Sequence, residues 1–192
     1  MLILASGSSI RRKMLEDAGV EFDVVPPDID EEAAKEGRTD PEAIATSLAQ
    51  AKAVAVSKDR PGDWVIGSDS VVAVDGRLFS KPRSREEAAE HLRFFSDKRM
   101  LLVSAAALAR NGSVDWSLSG QAELQLRSLS EDFIQGYLDV EWPEVGNTVG
   151  VFRMEGRGVQ LFDGISGGHF TILGMPLLPL LRQLRNRDLM PS

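Results

Sequence analysis

Apolar positions recur along this chain in two periods, and the places where the period changes mark out its elements. Leu2 to Ala5 is an unbroken apolar run, the pattern of a short buried strand. Ser6 to Ser9 is a small polar turn, and Ile10, Met14, Leu15 and Ala18 then fall at helical spacing. Ser8 or Ser9 is placed to cap that helix and Gly19 to end it, so the chain opens strand, Ser/Gly turn, helix. Phe22 to Val25 predicts a second strand, closed by Pro26-Pro27. Asp28 to Asp40 is acidic and irregular and predicts a loop. Asp40-Pro41 is a cap followed by proline in the first turn. The helix it starts puts Ile44, Leu48, Ala51 and Ala55 on one face, with Lys52 in its later half.

Trp64 to Val74 predicts a long strand that carries Gly67-Ser68-Asp69-Ser70 in its middle, and Asp75-Gly76 a hairpin turn. Ser84-Arg85-Glu86-Glu87 has the form of a capping box, and the helix behind it buries Ala88, Leu92 and Phe95. Leu101 to Ala109 and Val114 to Leu126 read as strands joined at Asn111-Gly112, the strongest hairpin signal present. Ser130 caps a short helix with Ile134, Tyr137 and Leu138 inward. Val159 to Phe162 and Phe170 to Leu173 look like strands, and Pro176 starts a last helix with Leu177, Leu180, Leu181 and Leu184 inward. Strands and helices alternate first and hairpins come later, so the fold class is α/β with a mixed sheet. No repeat or linker divides the chain, which reads as one domain over residues 1–192.

Composition narrows the function. The 192 residues are 43% hydrophobic, enough for a substantial core. No cysteine is present, which excludes disulfides, thiolate metal sites and thiol nucleophiles. A net charge of −7 argues against binding to nucleic acid polymers. It leaves room for a small anionic ligand, because Arg11, Arg12 and Lys13 are adjacent and Lys81 and Arg83 flank a proline. The apolar N-terminal run is too short for a signal peptide, and the run from Met175 to Leu181 holds two prolines and cannot span a bilayer. A cytoplasmic protein without membrane partners is expected.

Two features carry chemistry. The turn Ser6-Gly7-Ser8-Ser9 opens a helix, whose first N–H groups and partial positive charge suit phosphate. Arg11 and Arg12 add guanidinium groups there, against the helix dipole, where a purely structural reading would have the serines cap and the arginines meet water. The second feature is Asp69, a carboxylate among Val65, Ile66, Val71 and Val72. Either it reaches water at a bulge or strand end, or it binds Mg²⁺ or orients a water molecule. Phosphoanhydride cleavage needs such a group. There is no Walker A loop, no Gly-x-Gly-x-x-Gly turn and no Gly-x-Ser-x-Gly elbow, and two histidines far apart, His91 and His169, make a poor zinc site.

Several motifs together resemble the Maf family of nucleoside triphosphate pyrophosphatases, closest to its 7-methyl-GTP branch. They are Leu4-Ala5-Ser6-Gly7-Ser8 with Arg11-Arg12, Asp30-Glu31, Ala51-Lys52-Ala53, Gly67-Ser68-Asp69-Ser70, Lys81-Pro82-Arg83, and Glu155-Gly156-Arg157-Gly158 with Gly174-Met175-Pro176-Leu177. The resemblance implies a Maf/ITPase-like fold, elongated, with a strongly twisted mixed sheet flanked by helices and two lobes about a central cleft. It implies hydrolysis of a nucleoside triphosphate to monophosphate and pyrophosphate with Mg²⁺, Mn²⁺ or Co²⁺, a homodimer, and roles in nucleotide-pool house-cleaning or inhibition of septum formation. A nucleotide-binding regulator of cell division with little turnover is the alternative from another class. By motif, Asp69 is the proton acceptor and a metal ligand. Glu31 supports metal or water, Ser6, Ser8, Arg11, Arg12 and Lys52 hold phosphates, and Lys81 holds phosphate as a member of the catalytic set with Asp69 and Glu31.

Three positions separate the family's substrate branches. The pyrimidine branch (dTTP and UTP) has Arg, Thr and Gln there, and the 7-methyl-GTP branch Trp, Gln and Glu. This chain has Ile10, Ser70 and Glu155. Glu155 agrees with the 7-methyl-GTP branch, Ser70 is nearer the Thr of the pyrimidine branch, and Ile10 matches neither. A carboxylate can accept from the N1–H and N2–H₂ edge of guanine, and 7-methylation makes that base cationic. The chain also departs from the family at Ser9, usually proline, and at Asp97 to Met100, usually Gly-x-Thr-His.

Overall fold

β1 (Leu2–Ala5) is buried along its length and lies between two parallel neighbours, β2 (Asp23–Val24) and β3 (Trp64–Val74), in the computed structural model, which describes residues 1–31 and 37–191. Burial on both faces is why β1 is uninterrupted hydrocarbon. Ala5 pairs with Gly67, so the chain leaves β1 at the level of Ser68. β4 (Arg77–Phe79) returns antiparallel to β3 across Asp75-Gly76, both at positive φ as a tight hairpin turn requires. β5 (Arg99–Arg110) and β6 (Ser113–Leu126) meet at Asn111-Gly112 with the same geometry, and β7 (Phe162–Gly167) pairs antiparallel with β6. The seven-stranded mixed sheet runs β2-β1-β3-β5-β6-β7, with β4 also on β3.

The described residues form two compact units, and β3, β5 and β6 each contribute a segment to both. The first unit holds Met1–Ser70, Val103–Gly120 and the chain from Gly168 onward. Its core joins Leu2, Leu4 and Ile66 of the sheet to Met14 and Leu15 of α1 (Ser9–Asp17) and to Leu177, Leu180 and Leu184 of α6 (Leu177–Arg185). The second unit, Val71–Leu102 and Gln121–Gly167, contains α3 (Arg85–Phe95) and α4 (Glu131–Glu141). Arg85 donates to the Gln135 carbonyl and to Asp139 of α4, and Phe79 meets Phe95 edge-on with ring centres 4.7 Å apart.

The caps are the predicted ones: Ser8 for α1, Asp40 for α2 (Pro41–Asp59), Ser84 for α3 and Ser130 for α4. Three expectations need correcting. The buried face of α2 is Ile44, Ala45, Leu48, Ala49, Lys52, Ala53 and Val56, whereas Ala51 and Ala55 are only half-buried. Gly67 accounts for the rotation. A Cβ there would overlap the Ala49 carbonyl oxygen and stand 2.6 Å from Ala53 N, so the bare glycine lets α2 press its alanines onto β3. Phe170 to Leu173 is not a strand but part of α5 (His169–Leu173), stopped by Gly174 at φ 114°. A run as short as Phe170-Thr171-Ile172-Leu173 does not distinguish strand from helix, and Gly168 and Gly174 bound a single helical turn. The strand expected at Val159–Phe162 is instead a 3₁₀ turn (Arg157–Leu161) leading into β7. The expected loop from Asp28 to Asp40 lies partly outside the described residues. No helix among the described residues is long and apolar enough to cross a membrane.

Candidate active site

The rotation of α2 turns Lys52 inward. Its Nζ donates to Asp69 Oδ1 at 2.5 Å and lies 2.8 Å from Glu31 Oε1. The Lys52 and Asp69 side chains are 10% and 13% exposed, and Glu31 is 48% exposed. Asp69 therefore does not meet bulk water at a strand end. It is a buried carboxylate whose charge is met by an ammonium from the neighbouring helix, since a charge held out of water requires a partner.

Arg11, from the first turn of α1, reaches the residue next to Asp69. Its Nε donates to the Gly174 carbonyl at 2.9 Å and its Nη2 to Ser70 Oγ at 2.9 Å. Burial lowers the pKa of this half-buried guanidinium, and the charges of Asp69 and Glu31 oppose the shift, so all three share one electrostatic environment. Arginine keeps its proton in proteins, so the group stands as a cation beside the two carboxylates. Ser70 Oγ is also 2.8 Å from Ser104 Oγ, and Ser104 donates to the Thr171 carbonyl at 2.8 Å. Ser68 Oγ lies 2.8 Å from the Ala105 carbonyl and 3.1 Å from that of Gly174. These hydroxyls tie β3, β5 and the α5–α6 corner together directly behind the arginine.

At the turn, Ser6 is buried and its Oγ accepts from Ser8 N at 3.2 Å, while Ser8 Oγ accepts from Arg11 N at 3.5 Å. Gly7 is exposed and Ile10 half-buried. Arg12 points elsewhere: it is exposed and binds Glu16 one turn along α1 at 2.7 Å. The structure thus brings together Ser6, Ser8, Arg11, Glu31, Lys52, Asp69 and Ser70 in the first unit. Lys81 and Glu155 belong to the second, Lys81 exposed beside buried Pro82, and Glu155 exposed with Oε1 3.5 Å from Arg153 Nε. Asp28 and Asp30 are exposed.

Ser68 and Gly174 stand inside quoted motifs but were given no role there, and Ser104 stands in none; all three belong to the hydrogen-bond network around Arg11 and Ser70. Ser104 had one signal, a lone hydroxyl in the apolar run from Leu101 to Ala109. The histidines take no part: His169 is exposed, and His91 packs edge-on against Phe79 at 5.1 Å, where burial lowers its pKa.

The donor set suits a hard divalent cation. Asp69 and Glu31 already converge on one positive charge, that of Lys52. Mg²⁺ is commonly held by one or two carboxylates, with substrate phosphate and water completing its shell. Among the described residues no group of three or more His, Cys, Asp or Glu side chains comes together.

The family model described as Maf-like protein matches residues 1–187. A relative from Sphingopyxis alaskensis, named nucleoside triphosphate pyrophosphatase, is 45% identical over 196 residues, covering 100% of this chain and 99% of its own. Another from Rhizobium etli, named 7-methyl-GTP pyrophosphatase, is 45% identical over 188 residues, covering 96% of this chain and 94% of its own. Among solved structures, the Staphylococcus aureus Ham1 protein aligns with a TM-score of 0.47 at 14% identity, covering 97% of this chain and 98% of that one.

Proposed function

The chain belongs to the Maf family, and from that premise we propose that it hydrolyses a nucleoside triphosphate between the α- and β-phosphates, with Asp69 as the proton acceptor. It is a nucleoside triphosphate pyrophosphatase. A water oxygen bonds to the α-phosphorus, the bond from that phosphorus to the α–β bridging oxygen breaks, and nucleoside monophosphate and pyrophosphate leave. The water proton passes to the Asp69 carboxylate.

The observation that carries this reading is the placement of Arg11 on Ser70, one residue from the Asp69–Lys52 pair. A phosphate-binding cation and a buried carboxylate are thereby held on adjacent elements by fixed hydrogen bonds, which is the preorganisation phosphoryl chemistry requires. The N–H groups opening α1, with Ser6, Ser8 and Arg11, bind phosphate oxygens. Lys52 holds Asp69 in place and neutralises charge on the phosphates, and Lys81 supplies a second ammonium. Asp69 and Glu31 would hold Mg²⁺, Mn²⁺ or Co²⁺, which when bound neutralises phosphate charge and favours ionisation of water.

For the base, Glu155 favours a modified purine, 7-methyl-GTP, over dTTP or UTP. Ser70 carries no weight for a pyrimidine, since its hydroxyl is engaged by Arg11 and Ser104. The test is pyrophosphate release from 7-methyl-GTP, GTP, UTP and dTTP with each metal, for the wild type and Asp69→Asn. The expected result is a preference for 7-methyl-GTP in the wild type and loss of release in the variant, with its circular dichroism unchanged. Full rate in the variant overturns the role of Asp69. Preference for UTP overturns the base assignment alone.

A further inference from the structure

Within the second unit, the segment that carries Glu155 is held at both ends by one face of α4. Tyr137 Oη donates to the Val151 carbonyl at 3.0 Å, and Glu141 Oε1, one turn further along the helix, accepts from Arg157 N at 3.2 Å. Between these clamps the chain folds tightly. Gly156 N donates to the Arg153 carbonyl at 3.1 Å, and a Cβ on Gly158 would stand 2.6 Å from Arg153 N. Val151, buried and β-branched, is held at φ 55°, a conformation such residues adopt only where their surroundings impose it. Both Glu141 oxygens lie 3.4 Å from the point a Cβ on Gly156 would occupy, so the carboxylate packs directly beneath the residue that follows Glu155.

Glu141 is 8% exposed, and its Oε2 is buried with no hydrogen-bond partner. A clip for one backbone N–H needs only an acceptor, which a glutamine amide supplies without a buried charge. A carboxylate there adds a second negative charge beside that of Glu155, whose own charge is met by Arg153 at 3.5 Å. The field of Glu141 is felt in the same region, where burial first and Glu141 next raise the pKa of Tyr137, Arg153 lowers it and Glu155 raises it.

We propose that Glu141 is a positioning residue for base recognition: it fixes the turn that presents Glu155, and its charge biases that turn toward a nucleotide whose base is cationic. This rests on the assignment of Glu155 to the base. It deepens that assignment, since neutral guanine could be read by Glu155 alone, whereas a pair of carboxylates discriminates by charge.

The experiment compares kcat/KM for 7-methyl-GTP and for GTP, with Mg²⁺, in the wild type, Glu141→Gln and Glu141→Ala. The glutamine keeps the acceptor for Arg157 N and removes the charge. In E141Q the ratio of the two constants falls by roughly five- to tenfold through KM, with the melting temperature held, as expected for losing one partly screened charge. In E141A the ratio falls and the melting temperature drops as well, because the clip is lost. A wild-type preference for 7-methyl-GTP that survives undiminished in E141Q overturns this inference and leaves the base assignment standing. A wild type with no such preference overturns the base assignment and this inference with it.

Discussion

Lys52 Nζ and Asp69 Oδ1 are 2.5 Å apart, joining the middle of α2 to the middle of β3. Both groups are close to nine-tenths buried, so each makes the other tolerable. Removing Lys52 leaves the Asp69 carboxylate without its ammonium and out of water, a change that costs about 3–5 kcal/mol. Lys52→Met is therefore expected to destabilise the fold by about that amount in urea unfolding, and the double variant K52M/D69N to recover most of it. A double variant no more stable than K52M would show that the pair is not the unit holding these elements together.

Gly67 sets that distance. Its α-carbon faces Ala49 and Ala53, with no room for a methyl group. Gly67→Ala must push α2 off the sheet, at about 1–3 kcal/mol for overpacking, and carries Lys52 away from Asp69. Thermal melting should show the loss, and pyrophosphate release should fall further than stability alone explains at a temperature where the variant is folded. Unchanged release in folded G67A would mean that the spacing of α2 and β3 does not matter to the reaction.

Asp69 was legible in the sequence because a carboxylate inside Val65-Ile66 and Val71-Val72 contradicts its own surroundings. β3, the two hairpins and the four caps were legible for a similar reason, since each is written in neighbouring residues. What pairs with Asp69 was not. The inward turn of Lys52 depends on a glycine of β3 meeting two alanines of α2, a contact between elements that periodicity along one helix does not contain. Ser104 was hidden likewise, and Gly174, though inside a quoted motif, gave no sign of its carbonyl's partner, because both take their place from Arg11 and Ser70, far from them in sequence. Arg12 illustrates the converse. It shares the local pattern of Arg11 but points to Glu16, because successive helical residues face different ways.

A pH effect follows from Glu131, which opens α4. Hydrogen bonds from Arg93 first and Gln135 next hold its carboxyl down at about 2, from an ordinary 4.5. A depressed acid contributes stability that is present above its unfolded value and is lost as pH falls through the folded one. The window therefore runs from 4.5 down to about 2. Arg93→Ala is expected to return the Glu131 titration, followed by NMR, toward its ordinary midpoint. A midpoint unmoved in R93A would assign the depression to some other group.

Ser70 offers the sharpest separation of phosphate binding from base reading. Its hydroxyl accepts from Arg11 and meets Ser104, so its work is to aim a guanidinium. An arginine without that anchor still carries its charge but samples more orientations. Ser70→Ala should thus raise KM by about tenfold, near 1.4 kcal/mol, as for one lost hydrogen bond to a charged group. The rise should be equal for 7-methyl-GTP, GTP and UTP, because all three present the same triphosphate. Glu155→Gln should do the opposite, changing the ratios among the three while sparing their common phosphate affinity. Measured KM values for the three nucleotides decide the matter: a change in base preference in S70A would return Ser70 to the specificity site and leave Arg11 to be oriented by the Gly174 carbonyl alone.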